Sequence, residues 1–123
     1  MKSISQRDKE LYNLSYKIAG TSLCHYRMGA IITKGARILS VGVNVLKTHP
    51  IIAEKYQEHC ISIHAELQCL LRAQTDITNA TMYVARNGGL VSKPCNACWE
   101  YMKTSGIKFV VYSTKQGLVK AYV

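Results

Sequence analysis

No stretch of this chain of 123 residues approaches the roughly 20 consecutive apolar residues needed to cross a bilayer. The opening Met1-Lys2-Ser3-Ile4-Ser5-Gln6-Arg7-Asp8 is polar and lacks the apolar centre of a signal peptide. A soluble cytoplasmic protein with no membrane partner is therefore expected. There is no internal repeat and no low-complexity tract, which excludes a solenoid or a compositionally biased tail. Acidic residues are scarce: seven Asp and Glu face sixteen Lys and Arg, for a formal charge of +9. Such a field attracts anions, whether nucleotides or a nucleic acid backbone. The basic residues are scattered, with no arginine-rich stripe, so plain surface solvation accounts for them equally well. The five cysteines are an odd number, and Cys69 falls inside an apolar helical pattern. A disulfide framework is thus disfavoured against metal ligation plus buried thiols.

What is present suffices for one compact domain over residues 1–123. At 48% hydrophobic residues the chain can bury a core, which argues against wholesale disorder. From Ser5 to about Ala19, Leu11, Leu14 and Ile18 recur at helical steps and Gly20 is a stop. Met28–Thr33 and Ile38–Val43 read as a hairpin linked through Lys34-Gly35-Ala36-Arg37. Gly29 and Gly42 inside those strands signal bulges or a close backbone approach to a ligand. The segment from Asn44 to Ser62 has no clean period and reads mainly as loop, with a helical turn near Ile51–Tyr56.

Ile63, Leu67, Leu70 and Leu71 keep helical spacing to about Ala73 or Gln74. Thr81–Ala85 is a third strand, Arg86–Pro94 a loop, and Cys95–Ser105 a helix closed by Gly106. Ile107–Ser113 is a fourth strand and Leu118–Val123 a short fifth. Strands alternating with helices after a hairpin predict an α/β fold, a three-layer α/β/α sandwich with a central mixed sheet of about five strands.

Chemistry concentrates between His64 and Cys98. The sequence reads His64-Ala65-Glu66, then a linker, then Pro94-Cys95-Asn96-Ala97-Cys98. One helical turn brings two cysteines spaced in this way to the same side, and His64 adds a third ligand that zinc accepts. Three protein ligands leave the fourth tetrahedral position for water, as in catalytic zinc sites. His64 and Glu66 begin one predicted helix, Cys95 and Cys98 another, and helix starts favour thiolates. Glu66 is not needed as a ligand and points past the metal, where it can take a water proton and pass it to a substrate. The H-x-E…P-C-x-x-C spacing is that of a zinc-dependent hydrolytic base deaminase.

Over most of its length the chain resembles the zinc-dependent cytidine and deoxycytidylate deaminase superfamily. The resemblance rests on Arg27-Met28-Gly29-Ala30-Ile31-Ile32, Val41-Gly42-Val43-Asn44, His64-Ala65-Glu66, and Pro94-Cys95-Asn96-Ala97-Cys98 leading into Gly106-Ile107-Lys108-Phe109-Val110-Val111-Tyr112. It implies one Zn2+ on His64, Cys95 and Cys98, with Glu66 as acid and base. It also implies substrate contacts from the Asn44 side chain and the Ala65 backbone, on a sheet of about five strands between helices. The C-terminal helix of many members has no counterpart here, so a neighbouring subunit is expected to supply its contacts. The long insertion before His-Ala-Glu found in regulated deoxycytidylate deaminases is also absent.

Arg27, Lys47 and Lys93 are further candidates for substrate contact. Lys47, His49 and Lys55 on one side, and Arg86 and Lys93 on the other, could flank a bound anion. His59-Cys60 and Cys24-His25 are weak candidates for a second, structural zinc. Trp99 and Tyr101 read as core or interface. The favoured activity is conversion of a cytosine-type base to uracil in a free nucleotide or nucleoside, deoxycytidylate ahead of cytidine. Two alternatives remain: deamination of cytosine or adenine in single-stranded DNA or RNA, and a non-catalytic zinc-binding module for nucleic acid. Glu66 discriminates against the last, because a structural zinc has no use for it. A homo-oligomer is expected, covering apolar edges around Val110 and Val119.

Overall fold

The computed structural model describes residues 2–24, 26–46, 62–89 and 91–123. Helix α1 (Gln6–Ala19) opens with a capping box. The Ser5 hydroxyl accepts from the Asp8 backbone N–H, and the Asp8 carboxylate accepts from that of Ser5, satisfying two donors that a helix start leaves orphaned. Strands β1 (Met28–Lys34) and β2 (Arg37–Val43) form the expected hairpin, turning at Gly35 with φ of +62°. Short strands β3 (Val45–Leu46) and β4 (Ser62–Ile63) pair with each other. Helix α2 (Ala65–Arg72), strand β5 (Thr81–Arg86), helix α3 (Asn96–Ser105), strand β6 (Phe109–Thr114) and strand β7 (Gly117–Tyr122) complete the order.

The five long strands run β2-β1-β5-β6-β7. Only β5 and β6 are parallel; the other neighbours are antiparallel. The parallel pair needs a crossover, and α3 provides it. Alternation along the strands assigns residues to two faces. Ile31, Tyr83, Ala85 and Val111 meet Leu11 and Tyr12 of α1. Ala30, Ile32, Met82, Val84, Val110 and Tyr112 meet Ala65, Cys69 and Leu70 of α2 and Met102 of α3. The result is the expected three-layer sandwich. Ile31 and Ile32 are both fully buried, each contributing about 1.5–3 kcal/mol by removal from water.

Several sequence expectations change at their boundaries. The second helix starts at Ala65 rather than Ile63, because Ile63 pairs with Val45 as strand. Gly29 and Gly42 mark close approaches, but of helices rather than a ligand. A Cβ on Gly29 would sit 2.6 Å from the Ala19 nitrogen, and one on Gly42 2.7 Å from the Cys69 nitrogen. The hairpin's register shift lies instead between Ile32 and Thr33. Val110 is no apolar edge: β6 is paired on both sides and Val110 is fully buried, while β7, carrying half-buried Val119, is the edge. The helical turn expected near residues 51–56 lies outside the described residues.

Candidate metal centre and active site

Two helix starts build the site. His64 is the N-cap of α2 in extended conformation, its carbonyl accepting the first helical bond from Gln68 at 3.0 Å. Cys95 is the N-cap of α3, and its sulfur takes the place of a capping oxygen by accepting from the Cys98 N–H at 3.5 Å. Cys98 therefore stands one turn in, with its sulfur beside that of Cys95. His64 Nδ1 lies 3.5 Å from the Cys95 sulfur and 3.4 Å from that of Cys98, and the three candidate ligand atoms all fall within 4.8 Å of one another.

Those separations can be tested against zinc. Zn–S near 2.3 Å and Zn–N near 2.0–2.1 Å at the tetrahedral angle require an N···S distance of about 3.6 Å. The observed pair agrees, and two thiols with one imidazole suit a borderline-soft cation. The residues fit Zn2+.

Glu66 completes the cluster. It is 1% exposed, and among the described residues its Oε1 has no hydrogen-bond partner. An unpartnered carboxylate oxygen at such depth is costly unless a ligand or a proton meets it. Burial raises the Glu66 carboxyl above its ordinary value, opposed by its own backbone N–H, the His64 charge and the Cys98 sulfur. Burial likewise raises the Cys98 thiol, with the Glu66 charge and the Cys95 sulfur adding to it. A bound dication reverses that preference, since coordinating thiols lose their protons outright. Cys69, by contrast, is a plain core thiol: burial pushes it up to about 12.

Other candidates have contacts of their own. Ala65 is fully buried, with its carbonyl held against Gly42 of β2. The Asn44 side chain accepts from the Met28 N–H at 2.8 Å and donates to the Tyr26 carbonyl. Its own carbonyl accepts from the Ser22 hydroxyl at 2.8 Å and from the Cys24 sulfur. Arg27 donates to the Gly20 carbonyl at the end of α1, Arg86 stacks on Tyr26, and the Lys93 ammonium lies over the Trp99 ring. Trp99 packs edge-to-face on Tyr112, while Tyr101 is largely exposed. Lys47, His49, Lys55, His59, Cys60 and His25 lie outside the described residues.

One group escaped sequence reasoning. Ser92, 1% exposed, stands three residues before Cys95. Its hydroxyl donates to the Val84 carbonyl at 2.7 Å and accepts from the Ser113 N–H at 2.9 Å, with the Ser113 hydroxyl also 2.9 Å away. The loop into α3 is thereby pinned to β5 and β6 just before the first cysteine. A lone serine shortly after two glycines carries no signal that would have marked it.

The family model for the cytidine and deoxycytidylate deaminase zinc-binding region matches residues 5–114. Deoxycytidylate deaminase of Mycobacterium phage D29 is 41% identical over 54 residues, which is 43% of this chain and only 38% of that protein's length. Among solved structures, cytidine deaminase from Burkholderia pseudomallei superposes with a TM-score of 0.70 at 16% identity, covering 93% of this chain and 91% of its own. The dCMP deaminase of cyanophage S-TIM5, in apo form, superposes at 0.63 with 22% identity, covering 86% of this chain and 82% of its own. At those identities the structural likeness speaks for the fold alone.

Proposed function

The chain belongs to the cytidine and deoxycytidylate deaminase zinc-binding family, and from that premise we propose that it hydrolytically deaminates a cytosine-type base in a free nucleotide or nucleoside, deoxycytidylate first. The observation that carries the proposal is Glu66: a fully buried carboxylate with an oxygen that meets no partner among the described residues, two residues beyond His64 and beside Cys98. A purely structural metal site gives no reason to hold such a group there.

In this reading His64, Cys95 and Cys98 hold Zn2+, which when bound supplies Lewis acidity enough to bring the pKa of a water molecule to about 7. Glu66 takes a proton from water and gives it to the ring nitrogen as the hydroxyl adds to the amine-bearing carbon, then takes that hydroxyl's proton and gives it to the departing amine. The balance is one water consumed and one ammonia released, with a carbonyl replacing the exocyclic amine.

The Ala65 backbone lies against the base. Asn44 has a second N–H on Nδ2 to offer a substrate oxygen while the first keeps its bond to Tyr26. Arg27, Lys47 and Lys93 are the proposed cations for a substrate phosphate. Deoxycytidylate is favoured because a chain of +9 suits an anion, because the phage relative is a deoxycytidylate deaminase, and because the S-TIM5 enzyme was solved with dCMP and dUMP.

The reaction is assigned to the cytoplasm; among the described residues no helix is long and apolar enough to cross a membrane. A homo-oligomer is proposed from the half-exposed Ile38 and Val41 on edge strand β2, and light scattering that returns a monomer mass at micromolar concentration would reject it. The activity is tested by ammonia release from nucleosides, nucleotides and single-stranded oligonucleotides. Deoxycytidylate should give the fastest turnover. Release only from oligonucleotides would favour the nucleic-acid reading, and none from any substrate a non-catalytic module.

A further inference from the structure

Three ammonium groups converge on one aromatic ring at the end of the sheet remote from the metal centre. The nitrogens of Lys2, Lys108 and Lys120 lie 5.7, 5.4 and 5.2 Å from the Phe109 centroid. Phe109 opens β6, where it pairs with Thr81 at the start of β5. The ligands of α3 follow the other end of β5, so the length of that six-residue strand, about 20 Å, separates the two places. Across the sheet edge Phe109 pairs with Tyr122 of β7, the rings 4.7 Å apart and tilted by 48°. Tyr122 is 57% exposed.

Charge here is poorly compensated. Lys120 bonds the Asp8 carboxylate at 3.3 Å. Lys2 and Lys108 form no ion pair among the described residues. The strand edge thus presents an exposed aromatic face next to two unpaired cations, with a third held in place by a buried carboxylate. Lysine stems lying along apolar surface are ordinary, but three heads around one ring concentrate the chain's excess charge at a point the active site does not use.

We propose that this Phe109–Tyr122 edge, with Lys2, Lys108 and Lys120, binds single-stranded nucleic acid. Aromatic faces receive unstacked bases without sequence preference, and lysines follow the phosphates. A duplex keeps its bases stacked and offers only its backbone, so the exposed Tyr122 ring selects the single strand. A mononucleotide supplies one base and one phosphate, too little to span the ring and both free lysines. The strand bound here is not the substrate, because the platform faces away from Glu66.

The test is fluorescence anisotropy of a labelled 20-nucleotide oligothymidylate, its duplex with oligodeoxyadenylate, and dTMP as competitor. Measurements run from 20 to 200 mM salt. Binding is read without turnover, so its outcome is independent of the deaminase reading. The single strand should bind at least tenfold tighter than the duplex. Tyr122→Ala should weaken binding by about tenfold, while Tyr122→Phe should restore it. The Lys2→Ala/Lys108→Ala double variant should lower the slope of log K against log salt by about 1.4. None of these residues is in the catalytic machinery, so free-nucleotide turnover should not change. No binding at 20 mM salt, equal affinity for the duplex, displacement by equimolar dTMP, or unaltered affinity in Tyr122→Ala would each overturn the proposal.

Discussion

Replacing Glu66 with Gln separates proton transfer from everything else the site does. The side chain is 1% exposed and its Oε1 unpartnered among the described residues, so an isosteric amide fits the same cavity without new packing. General acid–base groups contribute about 10²–10⁴-fold each. Glu66 serves several transfers in the proposed reaction, so kcat should fall by about 10⁴-fold or more, equivalent to about 5.5 kcal/mol of barrier. Stability should behave differently. The amide loses a favourable charge at the α2 N-terminus, worth about 0.3–1 kcal/mol, but also removes a buried carboxylate whose ionised form lacks a full set of partners. The two oppose each other, and the melting temperature should move by no more than about 4 °C. Zinc content should stay at one per chain, since Glu66 is not in the ligand trio. Ammonia release, metal analysis and thermal melting on one preparation decide the matter. Retained turnover with intact zinc would refute the assignment of Glu66 as the proton carrier.

Five further outcomes are expected. Cys95→Ala should lose tightly bound zinc as read by metal analysis, and full occupancy in that variant would remove Cys95 from the ligand set. Gly29→Ala should destabilise by about 3 kcal/mol in denaturant unfolding because its Cβ meets the α1 backbone. Gly35→Ala, strained by its positive φ but in open space, should cost about 1 kcal/mol. Ser92→Ala, which strips partners from Val84 and Ser113, should cost about 1–3 kcal/mol and weaken zinc binding by about tenfold in chelator competition. For Asp8, burial alone would raise the carboxyl, but hydrogen bonds from Tyr83, Ser5 and Lys120 outweigh it and hold it below 3.8. A depressed folded-state value contributes stability that is present above about 3.8 and lost as pH falls through the folded value. Asp8→Asn should therefore melt well below the parent at pH 6, with the gap closing towards pH 2; a gap independent of pH would contradict this.

The metal trio was legible because its chemistry is local: a two-residue spacing within one helical turn, plus a histidine at another helix start, survives any detail of packing. The layers were legible for a similar reason, since period-two and period-3.6 patterns report which face is buried. What escaped depends on distance between elements. Gly29 and Gly42 announce close approach, yet nothing in their neighbours says that Ser15, Ala19 and Cys69 do the approaching. Val110 lies in an apolar run that reads alike on an edge strand or an inner one, and only the pairing of β7 decides it. Ile63 fits the helical period of Leu67 and Leu70, and its pairing with Val45 overrides that local preference. The Nδ1 of His64, rather than Nε2, facing the sulfurs is set by N-cap geometry that spacing does not encode.

The buried carboxylate of Asp8 also bears on the order in which the chain can finish folding. Besides the Ser5 N–H, its hydrogen-bond partners are Tyr83, 75 positions later, and Lys120, 112 positions later. At about 5–20 residues per second of synthesis, Lys120 emerges roughly 6–22 s after Asp8. Early in that interval the Asp8 carboxylate has only the Ser5 N–H of its capping box, and neither the hydroxyl nor the ammonium that meets it in the folded chain. Docking α1 early would leave an ionised group short of partners under the sheet, so the helix should dock only once β5 offers a hydroxyl and β7 an ammonium. An early element of the chain should thus be among the last to lock, and a nascent chain stalled before β7 should leave α1 open to protease.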